Sequence, residues 1–295
     1  MSPDGALIIC RFLQDVASVL LWGSYAYLSM LVPSALAGTI NRHLKPFRLV
    51  AIATAVSATF AVLPLEAGIL GDGWGNAGDL TTIKDIMLET TIGDAWLVQA
   101  VAVIALAMTR WLVPLHRQPA TALCAGLLLG CRALMGHSIM GEGPAGNLLQ
   151  LSYLVHVLSS GAWLGALLPL LFVVRELRKR DDGQEAAATC LRRFSIAGQI
   201  MVALTVFTGA INTALILGQL PLSWSQPYQG LLAAKICLVG GMISIALINR
   251  TIIVPRFKSG VRPAARLLLY TTTAELVLGG GALALVNILG TFDPV

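Results

Sequence analysis

Long apolar stretches separated by short polar segments set the pattern of this chain. A helix that crosses a bilayer needs about 20 predominantly apolar residues, because its backbone N–H and C=O groups must be satisfied within the segment. Eight stretches meet that demand: residues 16–37, 49–70, 95–113, 121–136, 148–174, 196–217, 231–253 and 267–289. The fourth is the shortest and is expected to continue through Gly136 to His137, so that the histidine caps its outer end. The pattern predicts an all-α fold, a polytopic membrane helix bundle of about eight transmembrane helices forming one integral membrane domain over residues 1–295.

The connecting segments alternate in charge, and basic residues accumulate on the cytoplasmic side of a membrane. Arg42, Lys45 and Arg48 follow the first stretch, Arg110 and Arg117 the third, Arg175, Arg178, Lys179, Arg180, Arg192 and Arg193 the fifth, and Arg250, Arg256, Lys258, Arg262 and Arg266 the seventh. The intervening segments are poor in basic residues: the second holds Asp72, Asp79, Asp85 and Glu89 against Lys84, and the fourth holds Glu142. Both termini are therefore expected outside, which in a bacterium means the periplasmic face of the inner membrane. Residues 178–193, a polar stretch with much helical character, read as a cytoplasmic hairpin connection.

Composition agrees with a lipid environment, at 56% hydrophobic and 12% charged residues. The net charge of +5 lies almost wholly on the inner segments, so it reflects topology and gives no argument for a nucleic-acid partner, and none is expected. Ser34, Ala35, Leu36, Ala37 and Gly38 resemble a signal-peptidase site, yet no basic segment precedes them, and the first span is expected to be retained. Five cysteines without a Cys-x-x-Cys pair argue against a disulfide framework or a structural zinc site. No nucleotide-binding glycine loop occurs, so neither ATP hydrolysis nor another enzymatic activity is expected.

Ionisable groups inside apolar spans are the candidates for function. His137 lies in a run with Met135, Met140 and Glu142. Imidazole suits copper, zinc and iron, and thioether sulfur favours Cu(I), so the mixture points to copper, with Cu(I) favoured over Cu(II). For His137 alone, a polar helix cap beside two incidental methionines is the competing reading. His156 lies inside the fifth stretch, with Ser152, Ser159, Ser160 and Trp163 on neighbouring positions of one helical face. A hydrogen bond from its ring to a serine or carbonyl of the adjacent helix would equally account for its burial. Because the fourth and fifth helices are antiparallel neighbours across a short turn, His137 and His156 could share one ligand.

Glu66, Arg132, Lys235 and Glu275 are further charges within spans. Ion pairing, such as Glu275 with Lys235, is the plain expectation; the sharper one is that Glu66 gives a carboxylate to the metal or to a proton route beside it. Cys124 and Cys131 read as small apolar packing, and Gly126 with Gly130, like Gly161 with Gly165, as sites of close helix approach.

His156 followed by Gly161, Ala162, Trp163, Leu164 and Gly165, then Arg193, Phe194 and Ser195, then Thr208 and Gly209, then Pro227 to Leu232 with Lys235, then Asn249, Arg250 and Pro255, resembles the copper resistance protein D family of bacterial inner-membrane proteins. Gly136, His137 and Ser138 are similar to the Gly-His-Ala element that precedes that block, and the strongest resemblance covers residues 148–255. Gln229 departs from the pattern by separating Tyr228 from Gly230. The resemblance implies copper handling alongside a periplasmic copper-binding partner protein, and assigns a metal role to His137 and His156 with Trp163 as a neighbour. The expected function is to receive copper at the periplasmic face and relay it toward the cytoplasm. The alternative is electron transfer through one b-type haem held between His137 and His156.

Overall fold

The computed structural model describes residues 1–71, 73–135, 143–178, 183–217, 226–258 and 261–292. These form nine α-helices and no strand: α1 (Pro3–Met30), α2 (Ser34–Leu70), α3 (Leu80–Glu89), α4 (Thr91–Met108), α5 (Pro114–Gly130), α6 (Gly143–Leu177), α7 (Gly183–Leu217), α8 (Pro227–Ile248) and α9 (Val261–Leu289). Seven of them, all but α3 and α5, are long and apolar enough to cross a membrane. The all-α bundle expected from the hydropathy pattern is the fold observed, with seven helices of spanning length among the described residues where about eight were expected.

Several boundaries differ from the sequence reading, each for a local reason. Helix α1 starts at Pro3, well before residue 16, because Ser2 caps its first turn by accepting a hydrogen bond from the Gly5 amide. It ends at Met30, and Pro33, which cannot donate to a preceding turn, opens α2 instead. Arg42, Lys45 and Arg48 consequently lie within α2, which runs on for 37 residues through Pro46 and Pro64. Likewise α7 begins at Gly183 and takes in Arg192 and Arg193, so the helical character expected of this connection is present from Gly183 onward and runs without a break into the next span.

The fourth stretch does not reach His137 as a helix. Helix α5 has 17 residues and tightens at Cys131–Leu134 into a 3-10 turn before the chain becomes extended at Met135. The sequence reading also missed α3, a short helix capped by Asp79, whose carboxylate accepts from the amides of Thr81 and Thr82. Its hydrogen bonds, from the Thr82 hydroxyl above all and the Thr81 amide, hold the Asp79 carboxyl below its ordinary range.

Helix α1 is the centre of the bundle, packing on α2, α5, α6 and α9. Helix α6 in turn packs on α1, α7 and α9, whereas α8 leans on α9 and leaves most of its surface to the surroundings. The shared core includes Leu21, Tyr25 and Leu28 of α1, Leu106, Leu128, and Leu167 and Val173 of α6.

The α1–α6 crossing depends on two glycines. A Cβ on Gly165 would come 2.0 Å from the Val19 carbonyl oxygen, and one on Gly23 would come 2.5 Å from the Gly165 Cα. That approach brings Ser24 Oγ within 3.0 Å of the Gly165 carbonyl and Trp22 Nε1 within 2.9 Å of the Leu158 carbonyl, both donating across the interface. Gly165 and Gly161 thus serve the close packing their spacing suggested, with Gly23 as the partner.

The crossing predicts a contrast between two glycines. Gly280 has open space around its Cβ position. Alanine there should stabilise the helix by about 0.5–1 kcal/mol. Gly165→Ala should instead destabilise by about 1–3 kcal/mol through overpacking. Thermal unfolding of both variants in detergent checks the contrast, and equal behaviour would contradict the crossing.

Candidate metal site

His156 sits in the seam between α6 and α7, roughly 20 Å along the axis from the start of α6 at Gly143. Its Nδ1 is 3.0 Å from the Thr205 carbonyl oxygen and 3.1 Å from the Thr208 hydroxyl oxygen. A carbonyl oxygen has no proton to give, so Nδ1 of the neutral ring carries the proton and donates it. The Thr208 hydroxyl spends its own proton on the Leu204 carbonyl, 2.6 Å away, and is thus also an acceptor toward the ring. Nε2 is left with its lone pair. Fixing one ring nitrogen to a carbonyl while freeing the other is the arrangement that orients metal-binding imidazoles.

The seam is built for this ring. Ser152 Oγ donates to the Thr208 carbonyl at 3.3 Å, and Ser159 Oγ lies 3.1 Å from Thr205 Oγ1, one contact on either side of the histidine. Gly209 makes room: a Cβ there would come 3.2 Å from His156 Cε1. The ring is partly buried. Lys235 of α8 lies within electrostatic reach of it. The hydrogen bond to an adjacent-helix carbonyl, one of the two readings of this histidine, is therefore present, and it leaves the Nε2 lone pair uncommitted.

The other candidates are dispersed. His137, Met140 and Glu142 lie outside the described residues. The Met135 sulfur accepts a hydrogen bond from Gln99 Nε2 at 3.2 Å. Glu66 is held by Arg11, with 2.6 Å between Oε1 and the guanidinium nitrogen. Trp163 is buried in the apolar core. Among the described residues no three His, Cys, Asp or Glu side chains converge as a metal-binding group.

The expected pairing of Lys235 with Glu275 does not occur. Asn249 Nδ2 donates to the Glu275 carboxylate at 3.0 Å. In an antiparallel pair, that contact sets Lys235 near the level of Leu289, roughly 20 Å from Glu275 at the helical rise per residue. The contacts of Leu231 and Leu232 with the cluster of Tyr228, Leu217 and Leu289 agree with this register.

A buried polar layer runs through α1, and the sequence reading did not find it. Arg132 donates to Asp15 at 2.9 Å and to Asn287 at 3.3 Å, and Asn287 donates to the same Asp15 oxygen at 2.9 Å. Gln14 donates to Thr59 at 2.9 Å and to Gln99 at 2.8 Å. Tyr153, one turn before His156 on α6, is within electrostatic reach of Arg132. Arg11, Gln14, Asp15 and Ser18 at helical spacing inside an apolar run were the available signal.

Comparison with known proteins adds the family. The profile described as "Copper resistance protein D-like, N-terminal domain" matches residues 1–147, and that described as "Copper resistance protein D" matches residues 188–289. The chain belongs to the copper resistance protein D family. Family likeness thus extends into the N-terminal half as well. The inner membrane protein YebZ of Escherichia coli is 28% identical over 97% of this chain and 98% of its own length. Copper resistance protein D of Pseudomonas syringae pv. tomato is 29% identical over 84% of each chain. The copper transport protein CutJ of Bacillus subtilis is 26% identical over 61% of this chain and 34% of its own length. No solved structure matches the chain. None of these relatives is named for haem, and the haem alternative has no support in the fold.

Within this family member, the Asp15–Arg132 pair allows a double-mutant test. Arg132→Met should destabilise the protein by about 3–5 kcal/mol, because it strands the buried Asp15 carboxylate. Arg132→Met with Asp15→Leu should cost less than Arg132→Met alone. Thermal stability in detergent supplies the cycle, and additive losses would show that the two side chains are not coupled.

Proposed function

We propose that this protein binds copper from the periplasm and relays it toward the cytoplasm through the inner membrane, without hydrolysing ATP. Copper is its cargo. The observation that carries the reading is the orientation of His156: Nδ1 is committed to the Thr205 carbonyl, and Nε2 presents a lone pair within a bundle whose relatives are named for copper. His137, Met140 and Met135 form the outer capture point, with Glu142 beside them, and His156 receives the ion deeper in the bundle. Both termini are periplasmic. Glu66 is assigned a structural role through Arg11 rather than a place at the metal.

Cu(I) is the favoured form, because thioether sulfur is a soft ligand. Lys235 gives the inner position a particular character, since an ammonium near His156 opposes a second cation there and keeps the ion from being held too tightly. Such a position suits passage better than storage. A periplasmic copper-binding protein is the expected donor.

Copper retained per protein after desalting tests the assignment. His156→Ala should abolish stoichiometric retention, His137→Ala should weaken it, and Lys235→Met should strengthen it several-fold. Met140→Ala should reduce the preference for Cu(I). Wild-type loading of a properly folded His137→Ala and His156→Ala double variant would overturn the site. Orientation has its own test: alkaline phosphatase fused at the C-terminus should be active and fused after Arg180 inactive, with the reverse pattern contradicting the proposed direction.

A further inference from the structure

A basic cleft lies at the opposite end of the bundle from the polar layer of α1, where α6 ends and α9 begins. It has a volume of about 460 Å³ and is lined by Arg178, Arg262, Pro263, Arg266, Leu267 and Tyr270. Arg262, Arg266 and Tyr270 are spaced four residues apart and so share one face of α9. Arg178 follows the last residue of α6 and closes the group from the other side. Among the described residues the two ion pairs are Arg11–Glu66 and Arg132–Asp15, so none of these three guanidinium groups has a carboxylate there.

The arrangement is electrostatically unfavourable by itself. Three fixed positive charges face one cleft, and two of them stand in the first turns of α9, where the helix dipole contributes further positive potential. An anion seated between them would relieve the repulsion, and guanidinium groups are suited to phosphate by their forked donors. The walls distinguish between kinds of phosphate. Leu267 is 40% exposed and Tyr270 67% exposed on the side continuing toward the membrane-spanning part of α9. A free phosphate ion has no use for that apolar wall, whereas a phospholipid has acyl chains to lay along it. Basic clefts between membrane helices bind anionic lipid head groups by this combination.

We propose that the cleft between the end of α6 and the start of α9 is a binding site for an anionic phospholipid. Its phosphate sits among Arg178, Arg262 and Arg266, and its chains run along Leu267 and Tyr270. The lipid ties together the ends of two helices, one of which carries His156. The site stands whether or not copper binds at that histidine.

Native mass spectrometry of the detergent-solubilised full chain, titrated with phosphatidylglycerol and separately with phosphatidylcholine, tests the proposal. The wild-type protein should retain phosphatidylglycerol in preference to phosphatidylcholine. Arg178→Gln, Arg262→Gln and Arg266→Gln together should lower phosphatidylglycerol affinity about 100-fold, and Arg266→Gln alone about fivefold, should the triple variant fold poorly. Arg110→Gln, a basic residue in the turn after α4 and outside the cleft, should leave affinity unchanged. Equal binding of both lipids, an equal loss in Arg110→Gln, or binding of inorganic phosphate without retention of lipid would each overturn the proposal.

Discussion

A charge inside an apolar bundle has to be paired, and in this protein that constraint falls on α1. Asp15 is buried against Arg132 and Asn287, Arg11 holds Glu66, and Gln14 bridges α2 and α4 through Thr59 and Gln99. These contacts tie α1 to α2 twice, through Glu66 and Thr59, and once each to α4, to the turn after α5 and to α9, so the polar layer fixes the relative positions of those elements. The opposite face of the same helix meets α6 at Gly23 and Gly165, with nothing but backbone between them. Apolar packing alone gives little directional preference among membrane helices, because lipid tails are as apolar as the side chains they would replace. Hydrogen-bonded charges and a glycine crossing supply that preference here.

The position of His156 follows from this frame. Helix α6 is held against α1 by the glycine crossing, and its next face is left for α7. Thr205, Thr208 and Gly209 then meet the imidazole on that side, two as acceptors and one as space. A threonine backbone carbonyl decides which nitrogen of the ring carries the proton. The chemistry available at the ring is therefore set by a second helix, through Thr205 and Thr208.

The helical class and most of the helices were legible in the sequence, since a long apolar run has few alternatives to a membrane helix. Boundaries were less so. Asp4, Arg11, Gln14 and Asp15 interrupt the apolar run that precedes Val16, and the exclusion of that run from the first span hid Arg11 and Asp15 as the partners of Glu66 and Arg132. The Lys235–Glu275 expectation failed for a related reason: helix position gives depth only when the register between helices is known, and Asn249 sets that register. His156 was readable as a candidate because it stands alone in an apolar stretch. Its tautomer was not, because Thr205 is distant in sequence and acts through its backbone.

The proposed relay depends on copper binding at Nε2 of His156. X-ray absorption at the copper edge of the Cu(I)-loaded protein addresses it directly, since an imidazole ligand gives a distinctive outer-shell scattering pattern. Imidazole scattering should be present in the wild-type protein and weaker in the sub-stoichiometric copper that His156→Ala still holds, with sulfur scattering retained. A spectrum unchanged by that substitution in a folded protein would contradict it.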